Sequence, residues 1–284
     1  MTPEAAQKIL QVNRESYMRI AREFDKTRSA SWEDFNIFTP FVKDSMKVLD
    51  IGCGNGRVYT ALNPYHVSYT GIDQNTYLIE QARTRYPDAR FLVGDILRFG
   101  GITELTGEKF DSIFCIAVFS HMPTREMRLQ TLTQIRSFLK PGGVLLMLNW
   151  NLWRVDRKHK NIWTCTIPRI TLTTHEWAFR YQISERDLDF RDVMTLWGHR
   201  HNPSPLYYRA YSSGELNKLC RDAGFGDVQS LYTGRGKKAH WWDGRNIATI
   251  AHNTLLAAPI VEEREKKHIK VPLGASYARG GWPV

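Results

Sequence analysis

The sequence has few cysteines and no long apolar run. Its four cysteines, Cys53, Cys115, Cys165 and Cys220, lie far apart in 284 residues and form no Cys-x-x-Cys pair, which argues against a metal site such as zinc and against disulfides. No apolar stretch approaches the roughly 20 residues that a membrane-spanning helix requires. The segment 1–5 lacks the basic-then-apolar pattern of a signal peptide. We therefore predict a cytoplasmic protein with reduced thiols and no membrane contact.

The chain also has no excess of acidic residues, and its excess of basic residues is distributed unevenly along the sequence. The net charge is +10, with 18 Lys and Arg against 16 Asp and Glu in residues 1–150, and 21 against 13 in residues 151–284. Eight of the nine tryptophans fall from Trp150 onward. A basic half rich in aromatic residues suits a nucleic-acid partner. The plainer interpretation is an ordinary basic surface around a core that contains tryptophans.

The most informative stretch is residues 47–58. A short apolar run is followed by Asp50, by glycines at 52, 54 and 56, and then by renewed apolar periodicity, which predicts a buried strand, a tight turn and a helix. Glycines in such a turn let backbone N–H groups approach a ligand, and the helix N-terminus attracts an anionic group. The spacing is G-x-G-x-G rather than the dinucleotide-binding G-x-G-x-x-G. Alone, this pattern also fits a turn that binds nothing.

Further strand patterns follow in series. Residues 70–73 end in an acid 19 positions beyond Gly54, close to the roughly 20-residue spacing of a ribose-binding carboxylate. Residues 90–96 and 110–117 form the next two patterns, and a Pro-Gly-Gly turn within residues 139–147 introduces another. Alternation of strands with helical segments predicts a parallel sheet with right-handed crossovers.

This series resembles the class I S-adenosylmethionine-dependent methyltransferases. The resemblance implies an α/β, Rossmann-like fold: a mostly parallel seven-stranded sheet with an antiparallel edge, an N-terminal lid helix and a cap insertion. The corresponding boundaries are lid helices at 1–46, an S-adenosylmethionine-binding core at 47–150, a cap or substrate insertion at 151–205, closing elements of the core at 206–254, and a tail at 255–284. Within the closing elements, residues 212–215 form a Ser-x-x-Glu capping box that predicts a helix start.

The same resemblance assigns roles at the carboxyl ends of the strands, where ligands of such sheets lie. The glycine turn would approach the methionine part of S-adenosylmethionine, and Asp73 would accept hydrogen bonds from the ribose hydroxyls. Asp95 would face the adenine amino group with Ile96 against the ring, while Asp50 would brace the turn. The full predicted cofactor set is Tyr17, Arg28, Asp50, Gly52, Cys53, Gly54, Asn55, Gly56, Asp73, Gln74, Asp95, Ile96, Ala117 and Val118.

A narrower resemblance covers most of residues 17–251. Residues 17–28 are similar to the Y-x-x-I-A-x-x-F-x-x-T-R start of the tRNA wobble-uridine carboxymethyl methyltransferases, and the segment 206–216 is similar to their R-Y-Y-H-x-F-x-x-G-E-L. The sequence departs from that family at Leu206, where the family has arginine, and at Arg209, where it has histidine. These departures fall in the part expected to face the substrate.

The narrower resemblance implies methyl esterification of a carboxymethyl group on the wobble uridine of tRNA, with S-adenosylhomocysteine as the product. It also implies a small activator subunit, which members of that family commonly use. A carboxylate is ionised at neutral pH and needs no general base, so the chemistry depends on alignment and charge. We hypothesise that Arg209, with Arg28 or His121, pairs with the substrate carboxylate. His121 and Arg209 are thus the predicted catalytic residues, although His121 also fits a structural or substrate-positioning role.

Two other interpretations remain at this stage. A methyltransferase for a small-molecule carboxylate, amine or phenol would share every cofactor motif and would ignore RNA. A non-catalytic RNA-binding subunit would keep the fold without the reaction, but the intact glycine turn together with Asp73 and Asp95 argues against it.

Overall fold

The computed structural model describes residues 1–28, 32–156, 164–165, 179–188, 191–197 and 204–254. The predicted tail at 255–284 lies outside the described residues, as does part of the predicted cap insertion. In the part of the chain that is described, no helix is long and apolar enough to cross a membrane.

Helices and strands alternate through the first half of the chain, as the sequence predicts. The helices are α1 (Pro3–Thr27), α2 (Arg57–Leu62), α3 (Thr76–Arg85), α4 (Arg125–Phe138) and α5 (Ser213–Asp222). The strands are β1 (Lys47–Ile51), β2 (Ser68–Asp73), β3 (Arg90–Val93), β4 (Phe110–Ile116), β5 (Leu139–Trp150), β6 (Val155–Asp156), β7 (Thr164–Cys165), β8 (Asp192–Trp197), β9 (Ser204–Arg209), β10 (Val228–Gly234), β11 (Lys237–Lys238) and β12 (Asn246–His252).

The central sheet has the order β11-β10-β12-β5-β4-β1-β2-β3. Strands β1 to β5 pair in parallel, and β12 joins β5 and β10 in antiparallel fashion. The predicted parallel core with an antiparallel side is therefore confirmed. The sheet has eight strands rather than the predicted seven, because the two-residue β11 adds to the edge of β10.

Helices cover both faces of this sheet, which explains the nearly continuous apolar runs of its inner strands. On one face, Leu49 and Met147 belong to a buried cluster with residues of α4 and α5. On the other face, Val48 and Leu146 belong to a second cluster with residues of α2 and α3. Successive strand residues thus enter opposite layers, as the period of two along a strand requires.

Helix α1 is well defined at its start and packs on a separate β-ribbon. The hydroxyl of Thr2 accepts a hydrogen bond from the Ala5 N–H at 3.2 Å, and proline at position 3 is favourable in a first turn. The apolar face of α1 contacts the antiparallel pair β8–β9 through clusters that include Ile9 with Tyr207, and Ile20 with Leu206. The β8–β9 pair therefore holds the predicted lid helix in place.

The ribbon β8–β9 crosses one predicted boundary. Part of the ribbon lies in the predicted cap insertion at 151–205, and β9 runs through Pro205, which lies opposite Leu196 of β8. In a two-stranded ribbon each strand is an edge, so a proline without an N–H is tolerated there. The predicted division between 205 and 206 accordingly falls inside a strand. The remaining domain boundaries stay predictions.

Candidate functional site

A cavity of about 610 Å³ lies at the carboxyl ends of β1, β2 and β4. Helix α1 forms one wall, the glycine turn after β1 forms the floor, and the ends of β5, β8 and β9 close the far side. Its volume is in the range of small-molecule sites. This position, at the switch point of an open parallel sheet, is where such folds bind ligands.

The glycine turn has a conformation that side chains would resist. Gly52, Gly54 and Gly56 have φ angles of +74°, +55° and +81°. A methyl group on Gly52 would lie 2.3 Å from Cγ2 of Val118, and one on Gly56 would lie 2.9 Å from the Tyr86 ring. Glycine is needed at both positions because the left-handed conformation and the close neighbours exclude a side chain. The turn therefore presents its backbone to the cavity.

Asp73 connects the end of β2 to the glycine turn. One carboxylate oxygen accepts the Gly54 N–H at 2.9 Å, and the other accepts the Asn75 N–H at 2.8 Å. Burial raises the pKa of Asp73, and these backbone donors oppose the rise. Asp73 also lines the cavity, and each carboxylate oxygen has a lone pair beyond the one used by these backbone donors.

Asp50 lies in β1 behind the turn and does not line the cavity. Its carboxyl is fully buried and accepts the Tyr69 hydroxyl at 2.6 Å, and burial raises its pKa to about 7. Gly56 is also absent from the lining, because Tyr86 and Phe91 cover it.

Asparagines attach α1 to the rest of the site. Asn55 of the glycine turn donates to the Asp25 carboxylate at 2.8 Å, and Asn75 donates to the Tyr17 carbonyl at 3.1 Å. Asn13 uses both ends of its amide, accepting from the Tyr207 N–H at 2.7 Å and donating to the Tyr207 carbonyl at 3.3 Å. Asn55 lines the cavity, but its amide nitrogen is engaged with α1.

His121 lies across the cavity from the glycine turn, and its hydrogen bonds fix its tautomer. Nδ1 is 2.8 Å from the Tyr207 carbonyl oxygen, an acceptor, so Nδ1 carries the proton. Nε2 then accepts from the Tyr17 hydroxyl at 2.9 Å. Burial lowers the pKa of His121 to about 4, so the ring is neutral near pH 7. Both nitrogens are therefore committed.

Arginines and aromatic rings surround the mouth of the cavity. Trp32 and Trp150 have ring centroids 5.4 Å apart, and the Arg57 guanidinium lies 5.1 Å from the Trp32 centroid. Within the described lining, the charged residues are Arg14, Arg28, Arg57, Arg98, Asp73 and Asp95. The cations exceed the carboxylates, so this lining favours an anionic ligand.

Arg209, predicted to pair with a substrate carboxylate, lies elsewhere. Its guanidinium bonds Asp192 and Glu215, each at 3.2 Å, in a second depression on the far side of β9. The reason is strand alternation: Tyr208 faces the cavity, so its neighbour Arg209 faces away. We therefore withdraw Arg209 from the predicted catalytic residues.

Most of the predicted site residues do come together. Those that line the cavity are Tyr17, Arg28, Gly52, Cys53, Gly54, Asn55, Asp73, Gln74, Asp95, Ile96, Ala117, Val118 and His121. Sequence reasoning missed Asn13, Asn75, Tyr208 and Trp197. Asn13 carried a detectable signal, since it is a polar residue one turn before Tyr17 on the apolar side of α1.

Comparison with known proteins agrees with this geometry. A methyltransferase domain family matches residues 49–145, which hold the glycine turn, Asp73 and His121. The tRNA (carboxymethyluridine(34)-5-O)-methyltransferase of Saccharomyces cerevisiae is 35% identical over 152 residues, which are 52% of this chain and 51% of the yeast protein. This chain thus spans about half the length of that relative. Residues 49–145 are thus similar to a methyltransferase domain.

Solved structures support the same fold. A methyltransferase from Clostridium acetobutylicum superimposes with a TM-score of 0.56 at 14% identity, covering 85% of this chain and 99% of that one. A putative methyltransferase of Haloferax volcanii, solved with the Trm112 methyltransferase activator, gives 0.50 at 18% identity, covering 84% and 97%. The predicted Rossmann-like fold is confirmed.

The geometry of the cavity by itself fits S-adenosylmethionine. A methyl group on Gly54 would project toward the cavity with its nearest neighbours, Phe24 and Leu78, at 3.5 and 3.9 Å, so the bare glycine leaves room for a ligand. Asp73 offers carboxylate oxygens beside it, and Ala117 holds a strained φ of +58° on the cavity wall. The glycine turn, Asp73 and the Asp95–Ile96 pair would hold the cofactor.

The low pKa of His121 makes a prediction for stability against pH. The folded ring resists protonation until about pH 4, whereas the unfolded ring protonates near 6.5. The unfolded chain therefore binds the extra proton first, and the His121 contribution is full above pH 6.5 and declines as the pH falls toward 4. We expect the wild-type melting temperature to fall more steeply over this interval than that of His121→Gln. Parallel pH profiles for the two proteins would contradict a buried neutral ring.

Proposed function

We propose that this methyltransferase esterifies the carboxylate of a carboxymethyl-modified wobble uridine in tRNA. The observation that carries the proposal concerns the part of the cavity lined by Tyr17, Arg28 and His121. We call it the acceptor side, because the group that receives the methyl would lie there. There, the neutral His121 has both nitrogens engaged, one of them by the Tyr17 hydroxyl, and Arg28 lines the same cavity. The name of the yeast relative supplies the substrate class.

The acceptor side is built to position rather than to deprotonate. Burial raises the pKa of Tyr17 well above its usual 10, so its hydroxyl keeps its proton. His121 is neutral and holds that hydroxyl through Nε2. An acceptor whose proton must be removed would need a base here, whereas a carboxylate is ionised already. Arg28, on the cavity wall, supplies a permanent positive charge for it.

When bound, S-adenosylmethionine supplies a methyl group on a positively charged sulfur, which an ionised oxygen can take without a prior proton transfer. The residues of this chain then have three tasks: to hold the donor at the glycine turn, to hold the acceptor carboxylate at Arg28, and to keep water out. Trp32, Trp150 and Tyr208 line the cavity and serve the last task.

The proposal predicts alkali-labile label on RNA. Purified protein, a radiolabelled methyl donor and bulk tRNA lacking the wobble ester should yield labelled tRNA that releases the label in mild alkali, because methyl esters hydrolyse there. A small-metabolite extract runs in parallel, and the Asp73→Asn variant is the inactive control. Label confined to the metabolite extract would instead support a small-molecule methyltransferase, and label on RNA that resists alkali would exclude a carboxylate acceptor.

A small activator subunit is part of the same proposal. The Haloferax volcanii neighbour was solved with the Trm112 methyltransferase activator, and this likeness supports a partner of the same class. The label assay is therefore run with and without a co-expressed Trm112-type protein. We propose a cytoplasmic location, since that is where the substrate occurs and since Cys53, Cys115 and Cys220 are free, buried thiols.

A further inference from the structure

The connection between β10 and β12, residues 235–245, lies at the same edge of the sheet as the cavity. Strand β12 is antiparallel to both β5 and β10, so β10 runs in the direction of β5, and the chain leaves β10 at the ligand-binding edge. Asn151, just after the cavity residue Trp150, fixes this loop directly. Its side-chain amide donates to the Trp241 carbonyl at 2.7 Å and to the Gly244 carbonyl at 2.8 Å.

The backbone of this loop is held, while its basic side chains point to solvent. Arg235 and Gly236 form a two-residue hairpin turn with φ of +53° and +74°, and the Gly236 N–H donates to the buried Asp34 carboxylate at 2.7 Å. The side chains of Arg235, Lys237, Lys238 and Arg245 are all exposed. None of the ion pairs formed among the described residues includes them.

Acidic neighbours do not cancel this charge. Asp243 is the one acid among residues 235–245, against four Lys and Arg, and its carboxylate accepts the His240 N–H at 2.8 Å. Asp34 is buried and accepts the Gly236 N–H of the loop, while its chain neighbour Glu33 is exposed. The loop thus presents a compact positive surface that complements a polyanion.

An exposed indole stands among these cations. Trp241 is 52% exposed, and its ring meets Trp242 edge-on at 5.8 Å, while Trp242 stacks on His240 at 4.3 Å. Exposed indoles beside lysines match single-stranded nucleic acid, because bases stack on the ring while cations neutralise phosphates. An acidic protein would use the charges without requiring the free indole face.

We propose that residues 235–245 bind the RNA that flanks the target nucleotide, with a base on Trp241 and phosphates at Lys237 and Lys238. This inference rests on the proposed tRNA substrate and adds the surface that holds it. The loop continues to the cavity through Asp34 and the neighbouring Trp32–Trp150 pair, so one RNA strand can span both.

The test uses the full chain, with its activator if the label assay requires one, and bulk tRNA lacking the wobble ester as the RNA. Trp241→Ala should weaken tRNA binding by about 5- to 150-fold, and Trp241→Phe should restore most of it. Lys237→Ser with Lys238→Ser should reduce the slope of log affinity against log salt by about 1.4, since each single-strand phosphate contact contributes about 0.7. S-adenosylhomocysteine binding should be unchanged in every variant, which also reports that the core is folded.

A matched control distinguishes the effect of where the lysines lie from the effect of removing two positive charges. Lys43 and Lys109 are exposed. Lys43 lies four residues before β1 and Lys109 immediately precedes β4, so both lie at the opposite edge of the sheet. The pair Lys43→Ser and Lys109→Ser removes the same charge and should keep the salt slope. Equal effects of the two double variants would overturn the proposed surface while the tRNA methylation stands.

Two further outcomes also overturn it. If the loop variants keep wild-type tRNA affinity but lose a co-purifying protein, the surface belongs to a protein partner. If the wild-type protein neither binds nor methylates tRNA, the proposed function fails together with this inference. That outcome differs from failure of the surface alone, because the wild-type protein itself then shows no tRNA binding or methylation.

Discussion

Replacing Asp73 with Asn should weaken S-adenosylhomocysteine binding by about 100-fold and abolish measurable methyl transfer. The carboxylate accepts the Gly54 and Asn75 N–H groups at 2.9 and 2.8 Å and, in our assignment, the ribose hydroxyls as well. An amide keeps the size but replaces one acceptor oxygen by a donor. Charge-assisted hydrogen bonds contribute roughly 1.5–3 kcal/mol each, so losing the ribose contacts accounts for the expected drop.

Calorimetric titration with S-adenosylhomocysteine measures this effect, and a melting curve confirms that the variant is folded. Asp95→Asn is the matched control. Asp95 is exposed, and one of its carboxylate oxygens already accepts the Leu97 N–H at 2.9 Å, so we expect at most about a tenfold loss there. Wild-type affinity in Asp73→Asn would remove Asp73 from the ribose site and require a different orientation of the cofactor.

The sheet was predictable because each strand can be identified from its own short stretch of sequence. Each strand has its own apolar run, and acids or glycines mark the ends of several of them, as at residues 50–56, 73 and 94–95. Parallel strands also have a known handedness of connection. The two-residue β11 could not be found in this way, because Lys237 and Lys238 have no apolar pattern and pair only through the hairpin turn that precedes them.

The acceptor side depends on long-range pairing, which periodicity does not report. Asn13 meets Tyr207 across 194 positions of sequence, and His121 meets Tyr17 across 104. Arg209 shows the limit most clearly. A motif can place an arginine near a site, but only the register of β8 with β9 decides which face it occupies, and a shift of one residue reverses that face.

The capping box predicted at 212–215 is only partly formed, again because a long-range contact competes with the local one. Ser212 accepts the Glu215 N–H at 3.3 Å, as a capping residue should. The Glu215 carboxylate does not complete the box. It faces Arg191 at 2.6 Å, Arg209 at 3.2 Å and Arg128 at 3.9 Å, and so forms the centre of a cluster of three guanidinium groups.

We therefore expect Glu215→Ala to be one of the most destabilising substitutions in the chain. Removing this carboxylate takes a counter-charge from Arg128 and from Arg209, both nearly buried, although Arg209 keeps its pair with Asp192. Breaking a buried ion pair from one side costs about 3–5 kcal/mol, which corresponds to a fall of about 10 °C in melting temperature for a chain of this size. Thermal unfolding at neutral pH measures it.

Asp222→Ala provides the control on the same helix. Asp222 also bonds two cations, Arg125 and Lys218, but those partners are exposed, and such surface pairs contribute little, so its melting temperature should stay close to wild type. Arg209→Ala completes the argument. If Arg209 is structural, its loss lowers the melting temperature and leaves kcat unchanged well below the transition. A fall in kcat at an unchanged melting temperature would return Arg209 to the active site and show that β9 adopts the other face when substrate binds.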